Sequence, residues 1–579
     1  MSDSNGVIAI LEPGLIGHSV WISIPSDGQY QFLNGSDPIV GVSGISIPFS
    51  QKSPIVLEMK RLKLAERLYR VTGEGIYRDS FLGNVQVPNI SHDMILKKFL
   101  LNEQVTGQDS VMNVIYKGRY YWFFGDTNNV QKLLGNFHAT AAFTNLKEIS
   151  SLSTSPNLTY IVNGKDGNFV KGVAPVEPKN LPTWIHALYV EDGSSMYATY
   201  MKPDSNLNIV KRGFLKWNDY LEEFEEISQI DFNTQFSYPI DGSHVVKTSP
   251  HDAEDGYIYF GQPYPIVRCK KYLDLSTYES FTPLKINTSN SDLNNLQFDR
   301  DENSGKLIYG WKRGTSPLSA EQMAQLVKMG KMKPQEAYLL QLKSHESGQV
   351  IQAHAGSVHY NAFRDLYILI AEQNDGTESS LGEIWYSEGL TPIGPFLYGV
   401  KIVTHQKMDF YNPSHHYEFD EHNGKIIYFE GTYSNFWTNL PPTPKYNYNQ
   451  QMYRLDVSKA SEQIPIAVFK RNDNNFHTLD RKVVRKTSPK LVAVEFYAFS
   501  KPCESACIAI YQHKMNDQYL LTLTSNKQDD SLEPIFYALD PIHVKDQHSN
   551  ISLFPFYQEL KLGDGHTVLV FSHRDDLIV

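Results

Sequence analysis

Between Gln104 and Asp126 the chain reads QVTGQDSVMNVIYKGRYYWFFGD: apolar and polar positions alternate from Ser110 to Tyr116, break at Lys117-Gly118, and resume as an aromatic run from Tyr120 to Phe124. A period of two sends successive side chains to opposite faces of a strand, and a two-residue connection containing Gly suits a tight hairpin. The stretch therefore predicts a β-hairpin that ends on the carboxylate of Asp126.

The same unit recurs: an inner strand, a turn rich in Gly, Asp or Asn, a strand dense in aromatic and β-branched residues, then one or two outer strands. Further copies are centred on Trp184–Met201 with a turn at Asp192-Gly193, Ser243–Gly261, Leu296–Trp311, Gly356–Glu372 and Tyr411–Glu430. The count is six, or five if the irregular second copy is set aside. Repeats of roughly 45 to 60 residues with up to four strands each are the signature of a β-propeller, in which every blade buries its faces against its neighbours. The expected fold is all-β: a propeller over residues 104–460, preceded by a small β-domain (1–68) and a lead-in segment (69–103), and followed by a β-rich domain (461–579).

One helix interrupts the strands. Ser319-Ala320-Glu321-Gln322 fits a capping box, Met323, Leu326 and Val327 give an apolar face, and Gly330 is a stop signal. It is expected to cover a blade edge, the alternative being a lid over the site.

Composition narrows the function. With 41% hydrophobic and 12% aromatic residues, 579 positions are ample for a buried β-rich core. A formal net charge of -11 argues against nucleic acid or an anionic membrane surface as partner. No basic leader precedes an apolar core, and no run approaches the roughly 18 apolar residues of a membrane span, so a soluble, cytoplasmic protein is expected, with export by a route needing no signal peptide left open. The three cysteines lack zinc-ligand spacing and are expected as free thiols. There is no Walker loop, dinucleotide fingerprint, His-Glu-x-x-His or Gly-x-Ser-x-Gly elbow, so neither cofactor nor metal is expected.

In a propeller, the starts of the innermost strands and the ends of the second strands converge at one mouth of the central channel. Registering the repeats on that rule puts Asp109 (beside Gln108), Asp241, Arg300, His359 with Asn361, and Asn412 with His415 and His416 at strand starts. Asp126, Gln262, Lys312, Glu372 and Glu430 fall at strand ends. Carboxylates crowded at one mouth cannot all ionise equally, and that divergence supplies both an acid and a base. Asp109, Asp126, Asp241, Glu372 and Glu430 are the catalytic candidates, the alternative for the two Glu being ion pairs with Arg364, Lys312 or Arg300. Gln108, Gln262, Arg300, Lys312, His359, Asn361, Arg364, Asn412, His415 and His416 are substrate-binding candidates, with Tyr433 and Trp437 as stacking faces for sugar rings. Tyr121 and Trp122, inside a strand, are expected to pack between blades. His415 and His416 are adjacent on a strand and point to opposite faces, which favours two hydrogen-bonding imidazoles over a metal pair.

Gln108-Asp109-Ser110 followed by KGRYYWFFGDT resembles the first blade of the propeller glycosidases of the arabinanase, invertase and levansucrase type. That resemblance implies five blades, an Asp at the start of the first inner strand as nucleophile or base (here Asp109), a second Asp that tunes the site (Asp241), and a Glu from a later blade as acid (Glu372 or Glu430). It implies a carbohydrate-active enzyme, a glycoside hydrolase or transglycosylase acting on oligo- or polysaccharide. The alternative is a non-catalytic propeller binding glycans or proteins through the same face.

Overall fold

The protein is described here as a computed structural model. It covers residues 2–23, 30–33, 44–49, 55–88, 90–91, 95, 100–130, 138–163, 169–231, 236–405, 407–471, 476–479, 493–502, 507–515, 518–522, 533–539, 556–561 and 567–572. Cys503 and much of the segment expected as a C-terminal domain lie outside the described residues.

The aromatic hairpin forms as its pattern requires. Val111–Tyr116 pairs antiparallel with Arg119–Phe124 across Lys117 (φ 46°) and Gly118 (φ 77°), both in the left-handed region that such a turn demands. The run of aromatics has no polar face because neither face meets water. Tyr120, Trp122 and Phe124 pack into one core cluster, and Tyr121 and Phe123 into another on the opposite side.

The same logic builds five sheets of four or five strands. Their innermost strands are Val111–Tyr116, Trp184–Glu191, His244–Val245, Ala353–Asn361 and Asp409–His415. These strands neighbour one another in chain order, and the fifth returns to the first. Five hydrophobic clusters fill the five gaps between successive sheets. In the fourth sheet, for example, Ile368 and Ile370 face the fifth, whereas Tyr367, Leu369 and Ala371 face the third.

The stretch counted as a fourth repeat does not make a sheet of its own. Its strand Gly310–Arg313 pairs with Glu279–Thr282 as the outer edge of the third sheet. The physical reason is one-sided burial: Ile308 is exposed, and the segment lacks the doubly buried aromatic run of the true units. The helix Ala320–Lys328 fills the space instead, with the Ser319 capping box formed, Met323 and Leu326 buried, and Gly330 at φ 70° beyond its end.

The fifth sheet is completed from the other end of the chain. Glu66–Arg70, which straddles the boundary expected at 68, pairs antiparallel with Asn449–Asp456 as its outermost strand. Smaller sheets precede the ring, Ser19–Ser23 with Gly44–Pro48 and Tyr30–Phe32 with Met59–Arg61. Others follow it, among them Ile466–Arg471 with Ala493–Ala498. Cys269 is a buried free thiol, but Cys507 is disulfide-bonded, against the expectation of free thiols throughout.

Candidate functional site

A cavity of about 590 Å³ opens where the five innermost strands begin. Each of those strands, or the turn just before it, contributes: Asp109 to Met112, Trp184 and Ile185, Asp241, Gly242 and His244, Ala353 to Ala355, and Asn412. Phe124 to Asp126 and Gln262, at the ends of second strands, complete the wall with the first turn of the helix, Ser319 to Gln322. No Lys or Arg lines it among the described residues, whereas Asp109, Asp126, Asp241 and Glu321 do.

Asp109 and Asp126 face each other across the open end of the first hairpin. The Asp109 N–H donates to the Asp126 carbonyl (3.1 Å), and the Gly125 N–H donates to the Asp109 carbonyl (2.9 Å). Gly125 is what lets the Asp109 carboxylate lie against the neighbouring strand, since a Cβ there would stand 2.3 Å from Oδ1. The hydroxyl of Tyr411 donates to Asp109 Oδ2 at 3.1 Å. Burial pushes the Asp109 carboxyl up, and the hydroxyls of Tyr448 and Tyr411 oppose it. Asp126 is pushed further, by burial and then by the charge of Asp109, with the Trp184 indole opposing. Two carboxyls so placed do not both ionise readily, and the upward push is the larger at Asp126.

Glu372 lies behind the cavity wall. Its side chain is 0% exposed, Oε2 accepts the Asn412 N–H at 2.8 Å, and Oε1 has no hydrogen-bond partner. Burial raises its pKa to about 8, opposed chiefly by the nearby His354. His354 Nε2 stands 3.8 Å from Glu372 Oε1, and its Nδ1 is hydrogen-bonded to Glu321 Oε1. That hydrogen bond raises the His354 pKa and lowers that of Glu321.

Asp241 sits deep among protein atoms, which pushes its carboxyl to about 6, yet 55% of its side-chain surface opens on the cavity, so water offsets part of that push. His186, 3.8 Å from it, is buried with a pKa lowered to about 3 and so stays neutral beside it. His244 is likewise held neutral by burial, at about 4.

Other candidates are committed elsewhere. Gln108 is buried, donating to Thr127 and Thr140 and accepting from Tyr160. Arg300 pairs with Glu336, Lys312 with Asp299, and Arg364 with Glu388 through two nitrogens, so none of the three pairs with Glu372 or Glu430. Asn361 donates to the Gly424 carbonyl. His359 accepts the Lys247 N–H, His415 bonds to Asp420 and His416 to the Tyr120 hydroxyl, all in the buried interior. Glu430 is there too, 3.5 Å from His416 Nε2. Tyr433 bonds to Thr443, and Trp437 is 54% exposed with its ring edge-on to Tyr411 at 4.9 Å.

The cavity thus gathers Asp109, Asp126, Asp241, Gln262 and Asn412 from the expected set, with Glu372 directly behind it. Sequence reasoning missed Glu321 and His354 as site residues. Their signals were the capping box that fixes the first turn of the helix, and Gly356, whose φ of 144° accompanies a register shift between Ala353 and Gly356. That bulge lets three consecutive residues, Ala353 to Ala355, face one cavity, which a regular strand cannot do.

No protein-family model matches the chain, and no curated protein sequence does. Among solved structures, it is similar to the glycoside hydrolase family 43 YxiA protein from Bacillus licheniformis (11% identity over 81% of this chain and 96% of that one, TM-score 0.28). It is also similar to an exo-1,5-alpha-L-arabinanase from a bovine ruminal metagenomic library (10% identity, 64% and 97%, TM-score 0.31). A third is the GH43_1 enzyme from Xanthomonas citri complexed with xylotriose (9% identity, 65% and 91%, TM-score 0.30). Likenesses at these identities and TM-scores carry neither substrate nor mechanism across.

Proposed function

We propose that the chain is a carbohydrate-active enzyme, a glycoside hydrolase or transglycosylase, built on a five-bladed β-propeller over about residues 66–460 with smaller β-domains at either end. What supports this reading is the placement of Asp109 and Asp126 at the wall of a cavity with no lysine or arginine among its described lining residues, where burial raises both carboxyls and the charge of Asp109 raises Asp126 further. Glycosidic cleavage needs an ionised carboxylate on one side of the anomeric carbon and a proton donor for the leaving oxygen on the other. Asp109 takes the first role, as base for water or as nucleophile. Asp126, neutral beside it, keeps a second negative charge away from Asp109 while that residue acts. The proton comes from the Glu372 side of the cavity, because Glu430 is buried away from it next to His416.

The lining also bears on the sugar. A wall that carries Asp109, Asp241 and Glu321, with no lysine or arginine among its described residues and His354 already paired with Glu321, disfavours uronic, sulfated or phosphorylated sugars and suits a neutral saccharide. The exposed Trp437 offers a flat apolar face for a pyranose or furanose ring.

The test is a panel of neutral oligosaccharides from plant, fungal and bacterial walls, read for both product release and binding. Asp109→Asn is expected to lower turnover by about 10²- to 10⁴-fold with the fold intact by circular dichroism. Full activity in that variant sinks the assignment of Asp109. Binding of saccharide by the wild type without turnover identifies a recognition module instead.

A further inference from the structure

Glu372 is a poor direct acid for the cavity. Its side chain has no exposed surface, and His354 and Asn412 stand between it and the open space. His354, in contrast, lines the cavity with its side chain 37% exposed, and each ring nitrogen is directed at a carboxylate. Nδ1 is engaged by Glu321, whereas Nε2, 3.8 Å from Glu372 Oε1, is beyond hydrogen-bond range and is not committed to it. Two elements fix this arrangement. The capping box anchors the turn that carries Glu321, and the bulge ahead of Gly356 brings His354 to the cavity wall.

We propose that His354 is the proton donor of the cavity, with Glu321 the positioning residue that keeps its ring charged and Glu372 the buried group that recharges it. The proposal rests on the glycosidase reading above. In the step, the Nε2–H proton passes to the glycosidic oxygen as the bond from the anomeric carbon to that oxygen breaks. Water adds to the anomeric carbon and gives its proton to Asp109. The neutral imidazole, its Nδ1–H still held by Glu321, takes the proton of Glu372 at Nε2. The resulting Glu372 carboxylate is held by the Asn412 N–H, and as Asp109 is deprotonated into cavity water a proton returns to Glu372 by way of the His354 ring.

The charged and titratable groups around His354 are Glu321 from the helix, Glu372 from the adjoining strand and Asp375 beyond it, with Asp409 acting on Glu372 from the fifth sheet. All are acidic, so they favour the imidazolium. The pKa directions agree, with His354 raised first by its hydrogen bond to Glu321.

Two measurements test the proposal. The first needs no substrate: ring-nitrogen NMR of the full chain, with His354 assigned from the His354→Gln spectrum. His354 is expected to titrate above an ordinary histidine and to fall by about one unit or more in Glu321→Gln. A His354 that titrates below the ordinary range and ignores Glu321→Gln overturns the proposal, whatever the substrate proves to be.

The second uses a saccharide that the wild type cleaves and the dinitrophenyl glycoside of the same sugar, whose leaving group needs no proton. His354→Gln should lose about 10²- to 10⁴-fold on the first and retain most turnover on the second, while Glu372→Gln shifts the basic limb of the pH profile. Equal loss on both substrates, or loss on neither, overturns the role of His354. A wild type that cleaves no saccharide fails the glycosidase reading instead, and the titration still decides the charge arrangement.

Discussion

Tyr411 and Asn412, consecutive in the chain, hold different carboxylates: the Tyr411 hydroxyl donates to Asp109 Oδ2 at 3.1 Å, and the Asn412 N–H donates to Glu372 Oε2 at 2.8 Å. Asn412 has φ 51°, within a register irregularity between Tyr411 and Ser414, and its side-chain amide donates to Ser110 Oγ at 2.6 Å. One irregular step in the fifth sheet therefore ties Asp109 of the first sheet to Glu372 of the fourth. Asn is among the few non-glycine residues that adopt this backbone conformation readily.

Removing the Tyr411 hydroxyl takes a donor from the ionised form of Asp109. A hydrogen bond to a charged group contributes about 1.5–3 kcal/mol, so Tyr411→Phe should raise the Asp109 pKa by about one to two units. The acid limb of kcat/KM moves up by that amount while the basic limb stays. An unmoved acid limb would mean that Asp109 is not the group ionising there.

Gly125 gives a second handle on the same carboxylate. In Gly125→Ala the new Cβ stands 2.3 Å from Asp109 Oδ1, so the carboxylate must swing away. Misplacing a reacting group by about 1 Å costs about 10²-fold in rate, and that loss is expected in kcat with little change in melting temperature, because the end of one side chain absorbs the clash. Unchanged kcat would place the chemistry elsewhere in the cavity.

The burial of Glu372 has a pH signature in stability. Its carboxyl ionises near 4.5 when unfolded and at about 8 when folded. Because the folded value is the higher, the native state holds the proton more tightly; the contribution is complete below the unfolded value and is lost as pH rises through the folded one. Over that window the wild type should lose up to about 5 kcal/mol relative to Glu372→Gln, which does not titrate. The check is the difference in melting temperature between the two from about pH 4 to about pH 9. A constant difference would rule out the raised pKa.

The sequence carried the ring and half of the site, and the reasons lie in particular residues. The YYWFF run announced a strand buried on both faces, and Asp109 and Asp126 were legible because the hairpin joining them is local. Leu296–Trp311 misled because alternation alone does not distinguish a sheet-edge strand from a doubly buried one; what the segment lacks is the doubly buried aromatic run of the true units. Arg300 and Lys312 sat at the expected register and Arg364 in a turn, but all three are neutralised, by Glu336, Asp299 and Glu388, partners set by tertiary packing. Glu372 was correctly assigned to a strand end, whereas the bulge that brings His354 in front of it breaks the very periodicity used to find it.

The pairing of Glu66–Arg70 with Asn449–Asp456 bears on how the molecule is made. Arg454 donates to Glu66 across 388 positions of sequence, so a strand that leaves the ribosome among the first must wait for one that leaves long afterwards. Until then the last sheet has an open edge and the gap between the fifth and first sheets lacks part of its filling, including Tyr69. Closure across so long a separation is slow, and an unpaired edge is where nascent chains associate wrongly. Synthesis therefore leaves the acidic cavity unfinished until the fifth sheet emerges, because Asn412 and the Asp109 partners Tyr411 and Tyr448 all arrive with it.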